Sequence, residues 1–170
     1  MKILVVGYSG SGKSTFAKFL SEQFKLSLLH LDTVQFYGDW ESRSIEEQNQ
    51  IVRDFMKNKD DWVIDGNYSR VAPERFNQAD IIFNLKMNRL YCYFMAFNRY
   101  RNHRGKKRDS LGVMEKFDWE FQWWLLYKGR SRSIRKKRNE LIASSAARVY
   151  VIKTRKQLND YIKQIRERGL

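Results

Sequence analysis

Nine consecutive residues near the amino terminus, Gly7-Tyr8-Ser9-Gly10-Ser11-Gly12-Lys13-Ser14-Thr15, have the types and spacing to hold a phosphate chain. They fit G-x-x-x-x-G-K-[ST], a loop whose backbone N–H groups cradle phosphates. Gly7, Gly10 and Gly12 let the main chain turn tightly and approach a ligand closely. Ser9 and Ser11 complete a small, polar loop whose successive N–H groups face inward as an anion nest. The positive end of the following helix adds to that field. Lys13 is placed to reach β- and γ-phosphates, the Ser14 hydroxyl to join a Mg²⁺ shell, and Thr15 to steady the α-phosphate region. The expected ligand is ATP with Mg²⁺.

Such a loop has to be delivered by a strand and followed by a helix. Lys2-Ile3-Leu4-Val5-Val6 is apolar, rich in β-branched residues and too short for a helix, as a buried parallel strand should be. Phe16, Ala17, Phe19, Leu20 and Phe24 then recur at helical spacing.

Two acidic residues follow apolar runs. Leu26 to Leu31 reads as a second strand ending at Asp32, and Trp62-Val63-Ile64 as a third ending at Asp65-Gly66-Asn67-Tyr68. In an open parallel sheet, strand carboxyl ends form the ligand-binding edge. Asp65 has the placement of a Walker-B carboxylate, suited to Mg²⁺ and its water, so Ser14 and Asp65 are the expected metal residues. Asp32 is either a base for an acceptor hydroxyl or a capping residue. His30 reads as a strand residue with a satisfied ring. Ser44-Ile45-Glu46-Glu47 is a capping box that opens a helix running to about residue 57.

Ile81 to Leu85 and Arg148 to Ile152 read as the fourth and fifth strands. Between them the pattern is helical from Asn88 to about His103, then aperiodic over 104–116, then helical again over about 115–138. Leu158, Ile162 and Ile165 mark a last amphipathic helix. This alternation predicts one α/β domain over 1–170, with a five-stranded parallel sheet covered on both faces. Cys92, the single cysteine, cannot close an internal disulfide and reads as a buried small hydrophobe. That usage, a start too short for a signal peptide and the lack of a membrane-length apolar run give a cytoplasmic expectation without a membrane partner.

The net charge is +14, and the stretch from Arg99 to Arg138 carries fourteen Lys/Arg against four Asp/Glu, an excess of +10. So concentrated a charge implies an anionic partner, either nucleotide phosphates or a nucleic acid backbone. Aromatic residues interleave with it, and Trp119, Trp123, Trp124 and Tyr127 fall on more than one helical face. That helix is either well buried or presents a side to a partner, and both monomer and oligomer stay open.

The phosphate loop, His30-Leu31-Asp32, Asp65-Gly66-Asn67-Tyr68, the Arg99–Arg108 segment and Glu115-Lys116-Phe117-Asp118 together resemble the DNA topology modulation protein family, itself similar to adenylate kinase and related P-loop nucleotide kinases. The resemblance implies an adenylate-kinase-like fold with strand order 2-3-1-4-5, an ATP site and an arginine-bearing lid. Asp65-Gly66 matches the Asp-Gly of the adenylate kinase motif, but Asn67-Tyr68-Ser69-Arg70 follows where Phe-Pro-Arg is expected. A nucleoside monophosphate acceptor therefore does not carry over. The expected reaction is ATP-dependent phosphoryl transfer to a small-molecule or nucleotide acceptor. Lys13, Arg99, Arg104, Arg108 and Asp32 are the expected catalytic residues, with the lid over 104–116 closing on the transferring group. The alternative reading is a nucleic-acid-binding P-loop NTPase or regulator.

Overall fold

The computed structural model describes residues 1–37, 41–103, 111 and 117–170. Strand β1 (Lys2–Gly7) leads into helix α1 (Lys13–Phe24), and β2 (Ser27–His30) into the short α2 (Leu31–Gln35). A two-residue antiparallel ribbon, β3 (Phe36–Tyr37) with β4 (Glu41–Ser42), precedes α3 (Ile45–Asn58). Then come β5 (Trp62–Asp65), α4 (Arg75–Gln78), β6 (Ile81–Leu85) and α5 (Arg89–His103). The chain ends with α6 (Trp119–Leu126), a 3₁₀ turn (Lys128–Arg130), α7 (Arg132–Ala143), β7 (Arg148–Ile152) and α8 (Arg155–Arg168).

Five strands form one parallel sheet in the order β2-β5-β1-β6-β7. Numbered within that sheet, this is the 2-3-1-4-5 order expected above. The central strand shows why the sheet needs two covering layers. Ile3 and Val5 join Phe16, Ala17, Leu20, Phe83 and Leu158 in one apolar cluster. Leu4 and Val6, pointing the other way, join Val52, Met56, Trp62, Ile64 and Phe76 in a second. Alternate side chains of one strand thus face opposite cores. The chain crosses from β5 to β6 over β1, so the carboxyl ends of these strands border a crevice at the point where the winding reverses.

Two boundaries differ from the sequence expectation. The long helix over 115–138 is broken in the described part, 117–138, into α6, a 3₁₀ turn and α7. Asp118 caps α6 by accepting from the Phe121 N–H, and the Ser131 hydroxyl caps α7 by accepting from Ile134. Gly129 lies between them, where an added Cβ would meet Trp124 at 3.1 Å. Two local caps outweigh continuous periodicity here. The second difference is Asp32, which lies in the first turn of α2, because β2 stops at His30. The capping box at Ser44 and Glu47 forms as expected.

Candidate active site

The phosphate loop runs from the end of β1 to α1 and touches its neighbours through bare backbone. Gly10 has φ +74°, and a Cβ there would fall 2.1 Å from the Cys92 carbonyl oxygen of α5. Gly12 serves as the N-cap of α1 at φ +90°. A side chain at either position would strain the turn. α1 has no side-chain cap and no acidic residue in its first turn, unlike α3 and α8, which both close with capping boxes. Its leading N–H groups are therefore left for an anion. Lys13 Nζ donates to the Tyr8 carbonyl at 3.1 Å, folding the cation back over the loop.

Sheet register brings the acidic groups to the same edge. His30 and Asp65 are paired neighbours on β2 and β5, and His30 Nδ1 meets Asp65 Oδ2 at 3.0 Å. The histidine ring is satisfied, as expected. Asp65 is 3 % exposed, and its second oxygen, Oδ1, is buried with no hydrogen-bond partner. Burial pushes the Asp65 carboxyl up, but the His30 bond, the Lys13 charge and the Ser14 hydroxyl outweigh it. The net pKa lies below the ordinary carboxylate value.

Among the described residues no group of three or more His, Cys, Asp or Glu side chains could hold a metal alone. Mg²⁺ does not require one. It keeps several waters and takes one or two carboxylates together with substrate phosphates. The orphaned Asp65 oxygen, with the Ser14 hydroxyl close to the same carboxylate, fits that donor set.

A cleft of about 770 Å³ opens beside this edge. Gly7, Tyr8, Ser9 and Lys13 line it from the phosphate loop and the start of α1, Asp65 from β5, and Asp32, Tyr68, Arg99, Phe121, Trp124 and Arg130 are among the other lining residues. Asp32 is not used as a cap; its Oδ1 accepts from the Tyr68 hydroxyl at 2.7 Å. Of the expected catalytic residues, Lys13, Asp32 and Arg99 share this cleft, whereas Arg104 and Arg108, with most of the expected lid, lie outside the described residues. Ser11 is fully buried within the loop, and Thr15 is exposed on the first turn of α1.

Two cations beside the phosphate loop were not singled out in the sequence. The guanidinium carbons of Arg130 and Arg138 lie 3.7 and 4.8 Å from the centroid of the Tyr8 ring. Arg130 Nη1 donates to the Met87 carbonyl at 3.2 Å, and Arg138 Nη1 to Asn67 Oδ1 at 3.5 Å. Nε and Nη2 of Arg130 and Nε of Arg138 are buried without partners. Among the eight Lys/Arg from Lys116 to Arg138 the sequence gives no mark distinguishing these two. Part of the basic excess, Arg99, Arg130 and Lys137, lines the cleft, and Arg138 is 1 % exposed.

A third arginine works behind the site. Arg75 is fully buried and donates to the carbonyls of Tyr68, Val71 and Ala72, with Nη2 to Tyr68 at 2.8 Å and Nη1 to Ala72 at 3.1 Å. These bonds pin the loop that carries Asn67 and Tyr68. Asn49 adds a bond from the Ala72 N–H at 2.7 Å, and Ala72 itself sits at φ +38°. Burial pulls the Arg75 pKa down to about 9, with Glu74 opposing.

Comparison of the sequence with protein-family models and with curated proteins gives no match. Solved structures do match in shape. The deoxyadenosine kinase from M. mycoides with bound dATP superposes with a TM-score of 0.50 at 13% identity, covering 98% of this chain and 100% of that one. The same enzyme with bound dCTP gives 0.49 at 15% identity, covering 98% and 100%. At such identity the likeness to the dATP-bound structure shows the fold alone, a five-stranded parallel sheet with helices on both faces.

Proposed function

We propose that this protein transfers the γ-phosphoryl group of ATP to a small acceptor bearing a hydroxyl, of nucleoside or nucleotide size. The observation that carries this reading is the convergence on one cleft of Lys13, Asp65 and the Asp32–Tyr68 pair, with Arg130 and Arg138 held over the phosphate loop. The loop and Lys13 bind the donor phosphates. Ser14 and Asp65 would hold Mg²⁺, which neutralises charge developing on the phosphates. Arg99, Arg130 and Arg138 supply positive charge whose N–H groups face a phosphoryl group in place of water. Catalysis of this kind is mostly positioning and charge stabilisation.

Asp32 is the group that decides the acceptor chemistry. A carboxylate at the cleft can take the proton of a hydroxyl as it attacks phosphorus, and the Tyr68 hydroxyl orients it. A phosphate acceptor would have no proton to give it and would be repelled. The cleft volume suits a ligand of nucleoside size, and Phe36, Phe121 and Trp124 offer apolar faces to a flat ring. The adenylate-kinase-like expectation fits this fold; the resemblance to the DNA topology modulation family rests on the quoted motifs, and no observation of the structure favours nucleic acid. The test is a coupled assay of ADP release from MgATP across nucleosides, nucleotides and other hydroxyl-bearing metabolites. Acceptor-dependent release that disappears in Lys13→Ala supports the reading, and no acceptor-dependent release from any member of the panel sinks it.

A further inference from the structure

Tyr8 occupies a position of the phosphate loop where the motif asks for no particular side chain. The phosphate chemistry uses only its backbone. Its ring nevertheless joins β1 to the 3₁₀ turn and to α7, because Arg130 and Arg138 both rest on it. We propose that Tyr8 is a positioning residue, whose ring holds Arg130 and Arg138 at the γ-phosphate end of the donor site before nucleotide arrives. This rests on the phosphotransfer reading above and deepens it.

Three observations support the assignment. The first is location. Lys13 Nζ lies 3.1 Å from the Tyr8 carbonyl, and the lysine of this motif reaches the β- and γ-phosphates. The Tyr8 ring therefore marks that end of the loop rather than the end where the α-phosphate lies.

The second is what the arginines lack. Among the described residues neither Arg130 nor Arg138 is paired with a carboxylate, and each has one bond to a neutral oxygen at 3.2 and 3.5 Å. One such bond fixes a single nitrogen of each guanidinium and leaves the tilt of its plane unset. The ring face supplies the missing restraint, since both guanidinium carbons fall within the range of a cation–π contact.

The third is the chemistry of the anchor. A carboxylate would hold these cations more tightly, but it would cancel the charge that a phosphate must meet and occupy the N–H donors. An aromatic face restrains a guanidinium and leaves its in-plane N–H groups pointing outward. Three such donors are buried here without partners: Nε and Nη2 of Arg130 and Nε of Arg138. The ring is itself fixed, packed against the apolar cluster around Phe16 and Leu85.

The experiment measures MgATP and MgADP affinities by titration calorimetry for the wild type, Tyr8→Leu, Tyr8→Phe, Arg130→Met, Arg138→Met and the Tyr8→Leu combinations. If the ring holds the arginines, Tyr8→Leu lowers the ATP-over-ADP affinity ratio about tenfold by weakening ATP alone. Tyr8→Phe keeps the ring and returns the ratio to the wild-type value. Adding Tyr8→Leu to the doubly Met-substituted arginine variant changes nothing further, because residues acting as one unit are non-additive. The inference is overturned if Tyr8→Leu weakens ATP and ADP equally, or if its effect adds in full to that of the arginine variants. Should Tyr8→Leu not fold, Arg130→Met and Arg138→Met still decide: a wild-type ratio in both overturns it. A wild-type protein that binds neither nucleotide overturns the phosphotransfer reading itself, whereas one that binds ATP with a ratio indifferent to Tyr8 overturns only this inference.

Discussion

The donor wall of the cleft draws its groups from the single stretch 7–15, whereas the rest of the lining gathers Asp32, Tyr68, Arg99 and Arg130 from four separate stretches of the chain. The first wall is local. Its N–H groups are aimed by the backbone of one turn and one uncapped helix start, and they need little else to be correct. The second wall exists only because the sheet order and the breaks at Gly129 and Ser131 bring distant side chains to one edge. Donor binding should therefore be robust to changes in the scaffold. Acceptor chemistry should fail when a supporting residue is lost, even one that touches no ligand.

Substitutions can break this contrast at either wall. Lys13→Ala should give the largest effect, a loss of turnover of about 10³-fold, because it removes the charge that neutralises the transferring group. Steady-state rates of ADP release would show it, with circular dichroism confirming an intact fold. Asp32→Asn should lower kcat with the acceptor about 10²-fold while the MgATP dissociation constant stays within about twofold. Equal damage to both quantities would mean that the walls are not separable.

Arg75→Met tests the support of the second wall. It removes the guanidinium from the Tyr68, Val71 and Ala72 carbonyls; the first and third keep a backbone N–H partner, so the cost is about 1–3 kcal/mol for the Val71 carbonyl. Chemical denaturation should register that loss, and residual activity should show a raised acceptor KM with unchanged ATP affinity. Tyr68→Phe should be milder, since Asp32 loses one hydrogen bond of about 1 kcal/mol, so kcat should fall about fivefold.

The smallest effect concerns pH. The Asp65 carboxyl is held below its ordinary value of 3.8, so the native state binds fewer protons than the unfolded chain around that pH. Its contribution to stability is complete above the ordinary carboxylate range and fades as pH falls through the lower native value. Urea denaturation of wild type and Asp65→Asn from pH 7 down to pH 3 should show their stability difference shifting against the wild type only below about pH 4. A difference that changes between pH 5 and 7 would break this assignment to Asp65.

Much of the fold and half of the site were legible in the residues. Alternation of apolar runs with helical periodicity marked all five strands of the main sheet, and the two-residue ribbon β3–β4 was too short to leave a pattern. The stretch over 117–138 misled because it holds no proline and only Ile134 as an apolar residue after Tyr127, so the break at Gly129 and the cap at Ser131 interrupt no visible pattern. Asp32 was identified, but its partner was not, since Tyr68 lies thirty-six residues away. Arg130 and Arg138 were hidden by their own surroundings: a guanidinium that stacks on Tyr8 and one that points to solvent look alike in a run of Lys and Arg.

The sequence by itself determined the phosphate loop, the strands and helices flanking it, and the acidic residues at the strand ends. These are short-range properties, written in glycine spacing and in periods of two and 3.6 residues. Only the tertiary structure decided which of many cations line the cleft, that His30 braces Asp65, and that Tyr68 meets Asp32. Those choices depend on strand register and on the packing of α6 and α7 against the loop. No local pattern encodes them, because they are set by which distant surfaces must be buried together.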